Sequence, residues 1–181
     1  MEEPSGITIR RGTAADAAAA GGVVADVLLE HGLGFDPALD ADILTPRAHY
    51  LTAGGAFFLA VDADGGVVGT AALMRTGAAT GELRKLFLLP HVRGRGVGRL
   101  LLDAVLDAAR ARALRRVTLT TRERYGVAMR LYERYRFRYV GGAHQWRAGD
   151  PGLTYALDLD VLAAAACSGL APRRRAEVVR L

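Results

Sequence analysis

Glu82-Leu83-Arg84-Lys85-Leu86-Phe87-Leu88-Leu89-Pro90-His91-Val92-Arg93-Gly94-Arg95-Gly96-Val97-Gly98 reads as an apolar strand, a glycine-rich turn and the opening of a helix. The strand stops at Pro90, which has no amide hydrogen to give a ladder. The helix starts near Val97 and runs through Arg110. Between the two lie three glycines at alternate positions, with Arg93 and Arg95 beside them. Such a turn binds anions. The first amides of a helix lack an intrahelical acceptor, and they carry the positive end of its dipole. Glycine reaches positive φ and lets a ligand approach the backbone, so the whole forms a cradle for phosphate, with guanidinium charge at its rim. A P-loop is excluded, because Gly98-Arg99-Leu100 does not supply its Gly-Lys-Ser/Thr ending. A dinucleotide fingerprint started at Gly94 puts Arg99 where its last glycine belongs. The residues alone leave two readings: a loop for another phosphate ligand, or a strand-to-helix turn with no ligand.

Working outward, Ile7–Arg10 is a short strand, and Thr13 caps a helix over 14–31 with Asp16 three residues on. Val23, Val24, Val27 and Leu28 form the apolar side of that helix, which Gly32-Leu33-Gly34 ends. Asp36-Pro37 opens a second helical stretch. Strands at 56–61 and 67–74 flank the turn Asp62-Ala63-Asp64-Gly65-Gly66, a hairpin signal. A second turn, Gly77–Gly81, leads into the central strand, so three antiparallel strands feed the glycine turn. Beyond the helix, Arg116–Thr121 is a strand placed to lie parallel to the central one after a right-handed crossover. A helix over 127–135 and strands at 137–140 and 154–159 follow, then a short helix over 161–166. Residues from Ser168, with Pro172 and three arginines, read as a mobile tail. No repeat or linker divides the chain.

Its 181 residues suffice for one domain with a full core. At 51% hydrophobic and 24% charged, the composition is that of a globular protein. Cys167 is the single cysteine, which excludes a disulfide framework and any multi-cysteine metal site. Net charge is +5, and Lys85 is the only lysine among many arginines, a bias expected of a GC-rich bacterial genome. The positive balance suits a polyanionic ligand and would also suit nucleic acid. Aromatic residues are only 7% and do not alternate with the arginines as a base-stacking platform requires. No apolar run approaches the roughly 20 residues of a membrane span, and Met1-Glu2-Glu3-Pro4 lacks a signal-peptide pattern. A cytoplasmic protein is expected, with no nucleic-acid or membrane partner. His31, His49, His91 and His144 are dispersed without metal-ligand spacing, so no metal is expected.

Arg93-x-x-Gly96-x-Gly98, following a strand, resembles the Gln/Arg-x-x-Gly-x-Gly/Ala pyrophosphate loop of the GCN5-related N-acetyltransferases (GNAT), which bind coenzyme A. Ala128-x-x-Leu131-Tyr132-Glu133-x-x-x-Phe137 resembles that family's later motif. The resemblance extends from Ile7 to Leu159. It departs at Tyr125, where the family usually has asparagine, and at Arg136, where it has glycine. It implies an α/β (α+β) GNAT fold with a mixed, mostly antiparallel central sheet flanked by helices, one domain over 1–167 and a flexible tail over 168–181.

The resemblance further implies that the pantetheine arm of acetyl-CoA lies along the central strand like an added strand, using main-chain groups of Leu86, Phe87 and Leu88. The amide of Leu88 then faces the thioester carbonyl as an oxyanion donor. Arg93, Gly94, Arg95, Gly96, Val97, Gly98 and Arg99 hold the pyrophosphate, and Tyr125 stands at a further cofactor contact. Tyr132 occupies the general-acid position. A phenol with pKa near ~10 protonates a departing thiolate only if the transfer is coupled to bond cleavage or the phenol is acidified. Glu82 occupies a general-base position, and strand alternation places it on the face of Arg84, Leu86 and Leu88. Each has a plainer role open to it: core packing for Tyr132, a strand-end carboxylate beside Arg84 for Glu82. Thr120 stands where ribosomal-protein acetyltransferases of the family carry glutamate, so their mechanism does not transfer. The expected activity is acetyl transfer from acetyl-CoA to a primary amine by direct attack, without a metal. The alternative is a catalytically weak acyl-CoA-binding or sensing domain of the same fold. The acceptor is open among small amines and peptide termini, and a homodimer is an open assembly state.

Overall fold

The computed structural model describes residues 6–122, 125–147 and 150–159. Seven strands form one sheet: β1 (Thr8–Arg11), β2 (Ala56–Val61), β3 (Val67–Arg75), β4 (Thr80–Leu88), β5 (Arg116–Thr121), β6 (Arg138–Arg147) and β7 (Asp150–Asp158), in the order β1-β2-β3-β4-β5-β7-β6. Every neighbouring pair is antiparallel except β4–β5. The parallel pair is the expected one, joined through helix α3 (Val97–Ala111). Helix α1 (Ala17–Glu30) is preceded by one 3-10 turn, where the Thr13 amide donates to the Asp16 carboxylate at 2.7 Å. The second helical stretch is broken into helix α2 (Ala41–Leu44) and a wide turn, Arg47–Leu51. Helix α4 spans Gly126–Arg134. The last two strands form a longer hairpin than their apolar runs suggest, with β7 inserted between β5 and β6. The expected helix at 161–166 and the tail lie outside the described residues.

Each face of the sheet is covered by helix. Leu101, Leu102, Val105, Leu106 and Ala109 of α3 recur at helical spacing and are buried against one face, with Tyr132 of α4 and Phe137 beside them. Truncating any of those leucines would cost about 2–5 kcal/mol. Val24 and Leu28 of α1, Ile43 of α2 and Tyr50 cover the other face, over Phe57, Leu59 and Ala72.

Strand β4 does not keep its alternation. Arg84 pairs with Ala72 and Phe87 with Thr70, so Lys85 and Leu86 together oppose one residue of β3. This is a β-bulge. Lys85 sits at φ 52°, in the left-handed region, at a cost of roughly 1–2 kcal/mol for a residue with a Cβ. The bulge inverts the facing of everything after it. Leu86 and Leu88 join Leu83 on the α3 face, and Phe87 joins the α1 face with Ala72 and Met74. The expectation that Glu82 shares a face with Leu86 and Leu88 is therefore corrected: its face continues through Arg84 to Phe87. The β4–β5 ladder also ends here, running only from the Thr80–Arg116 pair to the Leu83–Leu119 pair.

Candidate active site

Beyond Leu83 the two parallel strands separate, and the gap becomes a cleft of about 1990 Å³. That is roughly twice the upper end for a single drug-sized ligand, room for a long cofactor and a second substrate. Glu82, Leu86, Phe87, Leu88, Arg93, Gly94, Gly96, Gly98, Arg99, Tyr125 and Tyr132 all line it. Two of the expected residues do not. Val97 is 1% exposed and belongs to the core, and Arg95 lies outside on the surface of the turn.

The ladder parity of β4 sets the chemistry of its free edge. The amide of Leu89 donates to the Val68 carbonyl at 2.9 Å. Phe87 and Thr70 are thus a hydrogen-bonded pair, and Leu88 and Gly69 are not. The amide and carbonyl of Leu88 consequently point away from β3, into the gap. Arg93 Nε occupies the carbonyl at 2.9 Å, so the amide is what Leu88 offers to a ligand. The remaining guanidinium nitrogens of Arg93 form a fork onto Glu30, at 2.6 Å each. Sequence reading put Arg93 at a phosphate rim. Its side chain ties the end of α1 to the end of β4, and its hydrogen bonds, with its charge, hold the Glu30 carboxyl below the usual range.

At the mouth of the gap, Gly94 and Gly96 have φ of 74° and 85°, values that side chains rarely tolerate. Gly96 is the cap of α3. A Cβ at either glycine would meet nothing within 4 Å, so the turn presents bare backbone to open space. A Cβ at Gly98 would lie 3.3 Å from Leu88 Cδ1 and 3.7 Å from Leu131 Cδ2, which marks where β4, α3 and α4 converge. Arg99 is held near Asp103 at 3.6 Å, and Asp103 accepts the Tyr135 hydroxyl at 2.6 Å. Burial, together with that carboxylate, pushes Tyr135 up to about 12.

Tyr132 is 6% exposed, and its ring meets Phe137 edge-on at 5.9 Å. Burial pushes its hydroxyl above the ordinary phenol value. Acidification of the phenol is therefore not the route by which it could serve as an acid. Glu82 is raised above the ordinary carboxylate range by burial, with Arg84 opposing and Asp42 adding to the shift. Tyr125 packs edge-on against His31 at 4.7 Å, placing a ring pair where α1 meets the cleft.

Sequence reading missed a buried polar cluster behind the bulge. Lys85 Nζ lies 2.6 Å from Asp40 Oδ1 and 3.3 Å from Asp42 Oδ1, and all three side chains are at most 3% exposed. Tyr50 donates to Asp42 at 2.5 Å. Thr70 Oγ1 donates to the Lys85 carbonyl at 2.7 Å. The signal was available: a lone lysine inside an apolar strand of an arginine-rich chain. Among the described residues, no group of three His, Cys, Asp or Glu side chains gathers as a metal set would, and no helix is long and apolar enough to cross a membrane.

The Acetyltransferase (GNAT) family model matches residues 28–137, and the chain belongs to the GNAT acetyltransferase family. Among similar proteins is an uncharacterized N-acetyltransferase of Mycobacterium tuberculosis, 34% identical over 112 residues, or 61% of this chain and 71% of that protein. Mycothiol acetyltransferase of Beutenbergia cavernae is 41% identical over 79 residues, 44% of this chain, and the match spans only 27% of that longer protein. A structure from Salmonella typhimurium, solved with its cofactor acetyl-CoA, superposes with a TM-score of 0.68 at 21% identity, covering 86% of this chain and 95% of that one.

Proposed function

We propose that this protein is an N-acetyltransferase that moves the acetyl group of acetyl-CoA to a primary amine by direct attack. The observation that carries the reading is the Leu88 amide, turned into the gap between β4 and β5, with the bare glycine turn at one end and the Tyr132 hydroxyl in the same cleft. The residues fit the cofactor. Gly94, Gly96 and Gly98 open a backbone cradle at the head of α3 for a diphosphate, and the free edge of β4 can take the pantetheine arm as an added strand. Tyr125 and Arg99 line the same cleft.

Acetyl-CoA supplies an acyl group on a thioester and a thiol leaving group. The chain supplies the rest. Leu88 presents its amide to the carbonyl region, where it stabilises developing negative charge. Tyr132 holds a proton near the departing sulfur. Glu82 accepts the proton lost by the amine. Strand rise separates Glu82 from Leu86 by roughly 13 Å, so that proton travels through water in the cleft rather than by direct contact. The amine enters from the side walled by Val27, His31 and Leu39 and is a small or peptidyl amine.

Acetyl-CoA at about 100 times its Kd should add roughly 2.7 kcal/mol of stability, read as a rise in Tm and as heat in calorimetry. An amine panel followed by free-thiol release then tests transfer. Binding without thiol release from any amine leaves an acyl-CoA-binding module, and no binding ends the proposal.

Glu82→Gln should lower kcat/KM for the acceptor by about 10²-fold, with acetyl-CoA affinity within about twofold of the parent. Because burial raises the Glu82 carboxyl, the parent's rate should climb with pH through a midpoint above the ordinary carboxylate range, as the base ionises. The variant should lack that limb. An unchanged limb in Glu82→Gln would assign the base elsewhere.

A further inference from the structure

We infer that Asp42 is a positioning residue: it draws the Arg84 guanidinium away from Glu82, so that the Glu82 carboxylate stays loosely paired and available to accept a proton. This rests on the reading of Glu82 as the base. Arg84 follows Glu82 at two residues' distance on the same face of β4, before the bulge, and such neighbours ordinarily close into an ion pair. Here they do not. Arg84 Nη1 lies 3.5 Å from Asp42 Oδ2, while its Nε stays 3.9 Å from Glu82 Oε1. Nη1 also meets the Met74 sulfur at 3.7 Å.

Asp42 can compete because it is fixed. Its side chain is 3% exposed, with the Tyr50 hydroxyl on Oδ2 and the Lys85 ammonium near Oδ1. Lys85 is bound more closely to Asp40, at 2.6 Å, so it neutralises that carboxylate first. Asp42 is left with negative charge to act on Arg84, which at 25% exposed is the less enclosed of the two. The charged and titratable groups around Glu82 are thus Arg84 on its own strand, Asp42 from α2 and Tyr50 from the turn after it, with Lys85 and Asp40 behind. The strand neighbours paired with Glu82, Met74 on β3 and Thr118 on β5, carry no charge. A tight Arg84–Glu82 pair would lower the carboxylate's proton affinity. Division of the guanidinium between two acids prevents that.

Two variants should act in opposite directions. In Asp42→Asn the released Arg84 closes on Glu82. The Glu82 titration midpoint, followed by carboxyl-carbon NMR with Glu82→Gln assigning the signal, should fall, and kcat/KM should drop on the order of tenfold at its plateau. In Arg84→Gln the midpoint should rise. The double variant Asp42→Asn/Arg84→Gln should return the midpoint toward the parent. Loss of the Asp42 charge lowers the Glu82 midpoint by itself, so the inference requires a larger Asp42→Asn fall in the parent than in the Arg84→Gln background, where no guanidinium is left to move. A merely structural role lowers activity or Tm without that difference. Equal Asp42→Asn shifts in the two backgrounds, or no shift in either, overturn the inference, and Asp42→Ser takes the place of Asp42→Asn should that variant not fold. Midpoints that shift while the rate limb does not support the division of Arg84 and reject Glu82 as the base.

Discussion

Tyr132→Phe should lower kcat by about 10²–10³-fold, within the range removed with a general acid, and leave acetyl-CoA affinity within about twofold. The substitution deletes one oxygen from a ring that is otherwise core, packed edge-on against Phe137, so Tm should hold. Burial raises the hydroxyl above the ordinary phenol value, and the group keeps its proton throughout the assay range. A thiol at ~8.5 is the stronger acid, so transfer to sulfur is uphill and must be concerted with carbon–sulfur cleavage, the phenolate then regaining the proton that the amine has given up. Two readouts check this. Stopped-flow thiol release gives kcat, and a pH profile of the parent should show no basic limb from Tyr132 below about pH 10. A variant within twofold of the parent in kcat would return Tyr132 to a packing role.

Lys85→Met should be the most destabilising single change in the cleft region, by about 3–5 kcal/mol. The substitution leaves Asp40, with no exposed surface, and Asp42, at 3%, without the ammonium that lies 2.6 and 3.3 Å away. It also removes the tie that offsets a left-handed backbone at the bulge. At roughly 2–4 °C per kcal/mol for a domain of this size, Tm should fall by about 10 °C. Lys85→Met/Asp40→Asn should recover much of that loss, because a neutral amide can stay buried where an unpaired carboxylate cannot, and it can still accept the Asp36 amide that Asp40 holds at 3.0 Å. Denaturant unfolding of the three proteins measures the difference. A Lys85→Met protein as stable as the parent would show that the cluster does not hold the bulge.

The strands, the crossover helix and the glycine turn were legible because each is a local pattern. Apolar runs bounded by Asp-Gly and Gly-rich turns mark β2, β3 and β4. The 3.6-residue recurrence of Leu101, Leu102, Val105 and Leu106 marks α3. Gly96 reads as a left-handed position because no other residue adopts it cheaply. The facing of β4 was not legible. Alternation counts residues, and a bulge adds one without any local mark when the left-handed residue is lysine rather than glycine. The side-chain partners of Arg93 were not legible for a related reason. Its neighbours in sequence are the turn glycines, but its partners in space are Leu88 and Glu30, the latter far off on α1.

By itself the sequence determined the element order, the glycine turn at the head of α3 and the family, since backbone conformation and hydrophobic period are written within a few residues of each site. Tertiary structure decided the rest: that β7 enters between β5 and β6, that Lys85 inverts its strand, that Leu88 turns its amide into a gap, and that Arg84 divides between Asp42 and Glu82. Each of these depends on which distant groups are buried together. In a low-dielectric interior a buried charge settles on whichever counter-charge the fold brings within reach, and no count of positions along the chain contains that distance.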